Sequence, residues 1–308
     1  MKKKVLFTAF ICSVVLLALC SNYFIFSQPS SLHAQQIGAN VRENIMKAAI
    51  DFQDEPMSEQ EMEEYQKRLD SMDFKFAIPE NYKQESKSSV DVYVSPINQY
   101  ETPDMWLSVS VKERAELSQI PDSLLKDMST EELIVACMNY NLLCDLFVYD
   151  SPRQGYETLK KQYNGIQELT KRLDSGEKLL ELYKAIDINK FHEEDRFSTI
   201  RMTLLNMLIS DEDVLKTLSK DKVKEMVQEC YKKGLEMIEG KISLLDYLQS
   251  ASTGLKCLYF HDNNAREIID DSDELKSFIL GNNRFFTLDN IDDVTIGKIT
   301  IVIQDNYL

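Results

Sequence analysis

The side chains that could do chemistry fall into a few clusters. His192-Glu193-Glu194-Asp195-Arg196 begins like the helix of a zinc peptidase. That chemistry needs a second imidazole four residues after the first, on the same helical face, and the residue there is Arg196. One imidazole does not hold a catalytic zinc, so the run reads as a charged first turn favoured by the helix dipole. A thiol–imidazole pair could draw on Cys137, Cys144, Cys230 or Cys257 with His192 or His261. A thiolate nucleophile needs an electropositive, partly exposed setting. Cys137 follows Leu133-Ile134-Val135-Ala136 and Cys257 precedes Leu258-Tyr259-Phe260, so both read as core.

Acids cluster at Asp211-Glu212-Asp213, at Asp270-Asp271 with Asp273-Glu274, and at Asp289 with Asp292-Asp293. None follows the twelve-residue calcium loop with its central glycine and terminal glutamate. Carboxylate pairs of the glycosidase kind are set about 5–10 Å apart by the fold and leave no signature in sequence. Solvated helix caps account for these acids more simply. The only tryptophan, Trp106, follows Pro103 and reads as an aromatic pinning an arm onto its own domain rather than as a contact for a partner or a sugar. There is no G-x-S-x-G elbow, phosphate loop, dinucleotide fingerprint or CxxC pair. The sequence therefore nominates no catalytic residue, no metal ligand and no cofactor.

The elements that must carry these side chains begin with an address. Lys2, Lys3 and Lys4 precede an apolar run from Val5 to Cys20, the pattern of an export signal peptide. Leu32-His33-Ala34 offers a cleavage point after Ala34, giving a leader of residues 1–34. Leu17-Ala18-Leu19-Cys20 resembles the box before a lipidated cysteine, although Leu19 stands where that box wants a small residue. The stretch Val5 to Phe26 is also long enough to span about 30 Å of hydrocarbon as a retained anchor.

With 35 Lys and Arg against 51 Asp and Glu, the net charge is −16. Removal of residues 1–34 takes three lysines and no acid, which moves it to −19. Such a surface disfavours nucleic acid and anionic head groups, so contact with a membrane is expected only through a lipid at Cys20 or an uncleaved N-terminal segment. The four remaining cysteines, Cys137, Cys144, Cys230 and Cys257, are expected as buried thiols in preference to disulfides, because a chain of this length builds a sufficient core without staples.

Residues 35–110 read as a helical and irregular arm. Helix is expected around Val41–Phe52, and a capping box at Ser58-Glu59-Gln60-Glu61 opens another to about Met72. Pro79, Pro96 and Pro103 punctuate residues 73–110, with a short alternating strand at Val90–Val94. Residues 111–283 are helical by periodicity. Segments are expected at Asp122–Met128, from Ser129 with Glu132 as capping box, at Leu142–Tyr149, Pro152–Tyr163 and Ile166–Leu173, and at Glu177–Ile186 capped by Asp174. Three longer helices carry apolar stripes through Phe197–Leu208, Val223–Ile238 and Leu244–Leu258. Residues 284–308 are rich in β-branched and aromatic side chains, at Arg284–Leu288 and Thr295–Ile303, and predict a short C-terminal β-hairpin. The fold class expected is mainly α, an irregular α–α superhelix or helical array with an extended N-terminal arm.

Within residues 121–187, Pro121, Met128-Ser129-Thr130-Glu131-Glu132-Leu133, Cys137, Asn139-Tyr140, Asp145, Gly155, Asn164-Gly165, Glu168-Leu169, Arg172, Asp174, Leu179 and Tyr183-Lys184 resemble a family of exported, mostly helical bacterial proteins with no assigned activity. The resemblance implies an extracytoplasmic helical domain and brings no catalytic residues. On physical grounds Gly155 and Gly165 suit helix ends or turns, Asn139 and Asn164 suit caps, and Arg172 and Asp174 suit a local pair.

The expectation is an exported, non-catalytic helical protein acting through a protein partner at the bacterial cell envelope, in the periplasm or outside the cell. The alternatives are an envelope hydrolase of peptide or glycan using a carboxylate pair, and a lipid-tethered accessory subunit of an envelope complex. Fractionation of cells making the full chain should recover it outside the cytoplasm; a chain confined to the cytoplasm with Met1 in place would overturn export.

Overall fold

The computed structural model describes residues 32–40, 109–195, 197–239, 244–280 and 292–307, with single positions at 60, 63, 64, 67, 75, 76, 78, 79 and 82. The leader through Cys20, the helix expected at Val41–Phe52, Ser58, the strand Val90–Val94, Trp106 and Arg284–Leu288 lie outside these residues. The protein is mainly helical, and no strand occurs among the described residues. No helix among them is long and apolar enough to cross a membrane.

In chain order the helices are α1 (residues 32–40), α2 (Val111–Leu117), α3 (Asp122–Asp127), α4 (Thr130–Met138), α5 (Pro152–Gln162), α6 (Asn164–Leu169) and α7 (Ser175–Ala185). Then come α8 (Ile188–Glu194), α9 (Ser198–Ile209), α10 (Glu212–Leu215), α11 (Lys220–Glu239), α12 (Leu244–His261), α13 (Asn263–Asp270), α14 (Asp273–Ile279) and α15 (Asp293–Tyr307). Their starts are chemically marked. Ser110 with Glu113 and Ser129 with Glu132 form reciprocal capping boxes, and Ser151, Asp211, Asp262 and Ser272 accept from free N–H groups. Each such cap contributes about 1 kcal/mol. Helix α5 also has Pro152 at its first position, where a missing N–H costs nothing.

The chain packs as two compact units. The first comprises residues 73–187 and 200–218. Its centre is α4, in which every residue from Leu133 to Met138 is buried, and α6 and α7 pack on it. Such a helix has no solvent face, so it can exist only inside a core. Leu179, Leu182 and Tyr183 of α7, and Met202, Leu205 and Leu208 of α9, are buried in this unit too. Asn164 ties the unit together. Its side chain accepts from the Ile120 N–H at 3.0 Å and donates to the Ile120 carbonyl at 2.7 Å, while its own N–H donates to Gln119 at 3.0 Å. Gly155 lies within α5, not at its end, and a Cβ there would land on the Leu146 carbonyl of the 3-10 segment Leu143–Phe147.

Two local expectations change. Asp174 precedes α7 without a side-chain cap bond, because its carboxylate accepts from the Thr130 hydroxyl at 2.8 Å. Arg172 pairs with Glu168 at 2.8 Å and donates to the Met128 and Leu125 carbonyls at 3.2 Å each. It thereby satisfies the open end of α3, a better use of a five-donor fork than one carboxylate two residues away.

The second unit contains the described residues up to Lys67, with residues 188–199 and those after 218. Its two long helices, α11 and α12, pack along each other, with α8 against α11 and α13 and α14 against α12. Arg266 closes the end of α12 by donating to the Tyr259 and Phe260 carbonyls at 2.9 and 2.7 Å. The expected strand Thr295–Ile303 is wrong, since these residues lie in α15. Ile299, Val302, Ile303 and Tyr307 are buried at helical spacing, and α15 packs on α13 and α11. A helix satisfies its own backbone, whereas a strand needs a ladder partner, so packing overrides the β-branched preference.

The Asn164 clasp gives a measurable expectation. Asn164→Ala should lower the unfolding free energy by about 1–3 kcal/mol in urea titration, because the buried Ile120 amide groups lose their partners. A change below about 0.5 kcal/mol would be the behaviour of an unremarkable surface site.

Candidate functional site

A set of polar side chains in the first unit gathers at Asp211, the residue before α10. Its position is dictated by the chain: α9 ends at Ile209, and Asp211 must cap the next short helix, accepting from the Asp213 N–H at 2.9 Å. The same carboxylate is only 3% exposed. Its Oδ2 accepts from the Tyr156 hydroxyl and from Lys160 Nζ, each at 2.8 Å. Tyr156 and Lys160 stand four residues apart on α5, so one helical face delivers both donors. Lys160 also reaches Asp213 at 3.2 Å. Arg153, one turn earlier, donates to Ser210 at 2.7 Å and lies over the Tyr156 ring at 5.5 Å.

This geometry sets the electrostatics. Burial and the neighbouring Asp211 charge hold the Tyr156 hydroxyl well above its usual range. Burial pulls Lys160 down, but its bonds to Asp211 and Asp213 outweigh that and leave it raised. Bonds from Lys216 and Lys160 hold Asp213 low. A tyrosine locked as a donor, a lysine locked as a cation and a carboxylate accepting from three donors are matched to one another. Neither Tyr156 nor Lys160 is poised to exchange a proton near neutrality, the condition for general acid–base work.

The sequence candidates sit elsewhere. His192 lies late in α8 rather than in a first turn, and its Nδ1 is 2.9 Å from the Ser198 hydroxyl. A hydroxyl at that distance from an imidazole is the first half of a nucleophile–base pair. Asp195, buried and lying between them in sequence, accepts at Oδ1 from the Phe197 N–H at 2.9 Å. Cys137, Cys230 and Cys257 are buried free thiols, and Cys144 is an exposed one, contrary to the expectation of burial for all four. Burial pushes the Cys257 thiol up to about 12 and Cys137 higher still, opposite to what a nucleophile needs. Asp292 caps α15 by accepting from the Thr295 N–H and hydroxyl, and Asp270 accepts from Lys276 at 2.6 Å. Among the described residues no three of His, Cys, Asp and Glu are placed to hold a metal ion.

Sequence reading missed two features. Lys233 is 1% exposed, 3.3 Å from Glu229, and its burial depresses its pKa despite that carboxylate. It stands three residues after Cys230, on the apolar stripe of α11, so a charged residue in register with a stripe was the available signal. Phe147, Val148 and Tyr149 form an exposed apolar run at the end of the 3-10 segment, with Val148 74% exposed. No protein-family profile, no characterised protein and no solved structure matches the chain.

Tyr156 supplies the test of this cluster. Its folded-state pKa is raised above the unfolded value of about 10, so its contribution is complete below that pH and lost as pH rises above it. Tyr156→Phe should therefore cost about 1.5–3 kcal/mol at pH 7, and the gap to the parent protein should narrow by about pH 11 in parallel urea titrations. A gap that stays constant or widens would show that the hydroxyl is not held neutral against Asp211.

Proposed function

We propose that the protein is an exported, non-catalytic helical protein that acts through protein–protein contacts at the cell envelope, its helices forming an irregular α–α array. The observation that carries this reading is the exposed run Phe147-Val148-Tyr149. The three adjacent side chains leave a continuous apolar strip partly open to water, and aromatic residues are the preferred anchors of partner contacts. The bonds of Tyr156 and Lys160 to Asp211 support a structural role for this cluster. The basic and apolar N-terminal pattern, and the resemblance of residues 121–187 to exported helical proteins, support the location.

A photo-crosslinking residue at Val148, in the full chain in its native envelope, should give one discrete protein adduct. Val148→Asp should remove binding to that partner by at least about tenfold and leave the melting temperature unchanged, since the side chain is exposed. Absence of an adduct, or a hydrolytic activity abolished by Ser198→Ala, would overturn the binding reading.

A further inference from the structure

Helix α1 is seated on α15 at a distance that only small residues permit. Ala34 and Gly38 stand four apart and share one face of α1; Ala34 is 1% exposed and Gly38 is buried. Asp293 and Gly297 stand four apart on α15. A Cβ added at Gly38 would fall on the Asp293 carbonyl, and one added at Gly297 would fall on the Ala34 carbonyl. The order is reciprocal, later residue against earlier, so the two helices cross antiparallel with their backbones in contact. The contact face includes Ala34, the residue after which an export leader would be cut.

We propose that the mature chain retains Ala34, so that the bond between Ala34 and Gln35 is not the processing point. This rests on the export reading. Leader removal precedes folding, so burial does not itself protect the bond; what counts is the loss to the folded state. Cutting there deletes the first turn of α1, uncovers the buried Gly297 and removes the backbone against which it packs. It also places a new ammonium group at the N-terminus of α1, where the helix dipole is already positive. Leu32, by contrast, is 72% exposed, so the chain can enter this helix from solvent without disturbing the contact. Of the upstream options in the sequence, a lipidated Cys20 or a retained apolar segment keeps the contact intact.

The N-terminus of the full-length gene product, purified from its native envelope, decides the matter by intact mass and N-terminal peptide mapping. A chain starting at or before Leu32, including one starting at Cys20 or at Met1 in the membrane fraction, is expected. An exported chain starting at Gln35 would overturn the proposal while leaving export standing; an intact chain found only in the cytoplasm would overturn both. The contact has its own readout in the same protein. Alanine in place of a helical glycine ordinarily stabilises. Gly297→Ala and Gly38→Ala should each instead lower the melting temperature by about 4 °C or more. A rise in either would show that α1 does not occupy this seat and would overturn the proposal.

Discussion

A carboxylate removed from water is tolerable only when its lone pairs are occupied, and much of the first unit is arranged to meet that demand at Asp211. The residue must end one helix and begin the next, which fixes one oxygen on the Asp213 N–H. The other oxygen then needs donors from outside, and α5 supplies Tyr156 and Lys160 from one face. Placing α5 there in turn requires a close approach to the 3-10 segment, which Gly155 permits. Removing either donor leaves a buried charge short of a partner, which costs more than the bond itself contributes.

Polar side chains bonded to backbone ends recur as the device that closes this small-helix architecture. Short helices leave many free N–H and carbonyl groups for few internal bonds. Arg172 closes α3, Asn164 clasps Ile120, and Arg266 closes α12. Thr217 accepts from the Gly176 N–H at 3.0 Å and so closes the start of α7. These groups would read as reactive in isolation; in place they are consumed by the backbone.

What was legible in the sequence is what local chemistry determines. The capping box at Ser129 and Glu132, the proline start of α5 and the stripes of α9 and α11 depend on neighbours within a turn or two. What was not legible depends on distant partners. Thr295–Ile303 has the composition of a strand, yet α11 and α13 offer it a surface to bury a helical face and no described strand offers it a ladder. Asp174 abandons its cap for Thr130, forty-four residues away in sequence. The candidate site divides in the same way: the acids of 211–213 were visible as a cap, but the tyrosine and lysine that bury Asp211 come from α5, more than fifty residues earlier.

The same division bears on where function can reside. A residue that closes a helix or neutralises a buried charge must give up those bonds before it can bond a substrate, at the cost of leaving its partners unpaired. The cluster at Asp211 is committed in this sense, and two of the buried thiols have their pKa values driven upward. A different kind of side chain lies at the end of the 3-10 segment. Val148 is mostly exposed, and Phe147 and Tyr149 beside it keep part of their apolar surface in water. In the binding role proposed above, the heavily acidic remainder of the chain would repel other acidic surfaces and draw basic ones.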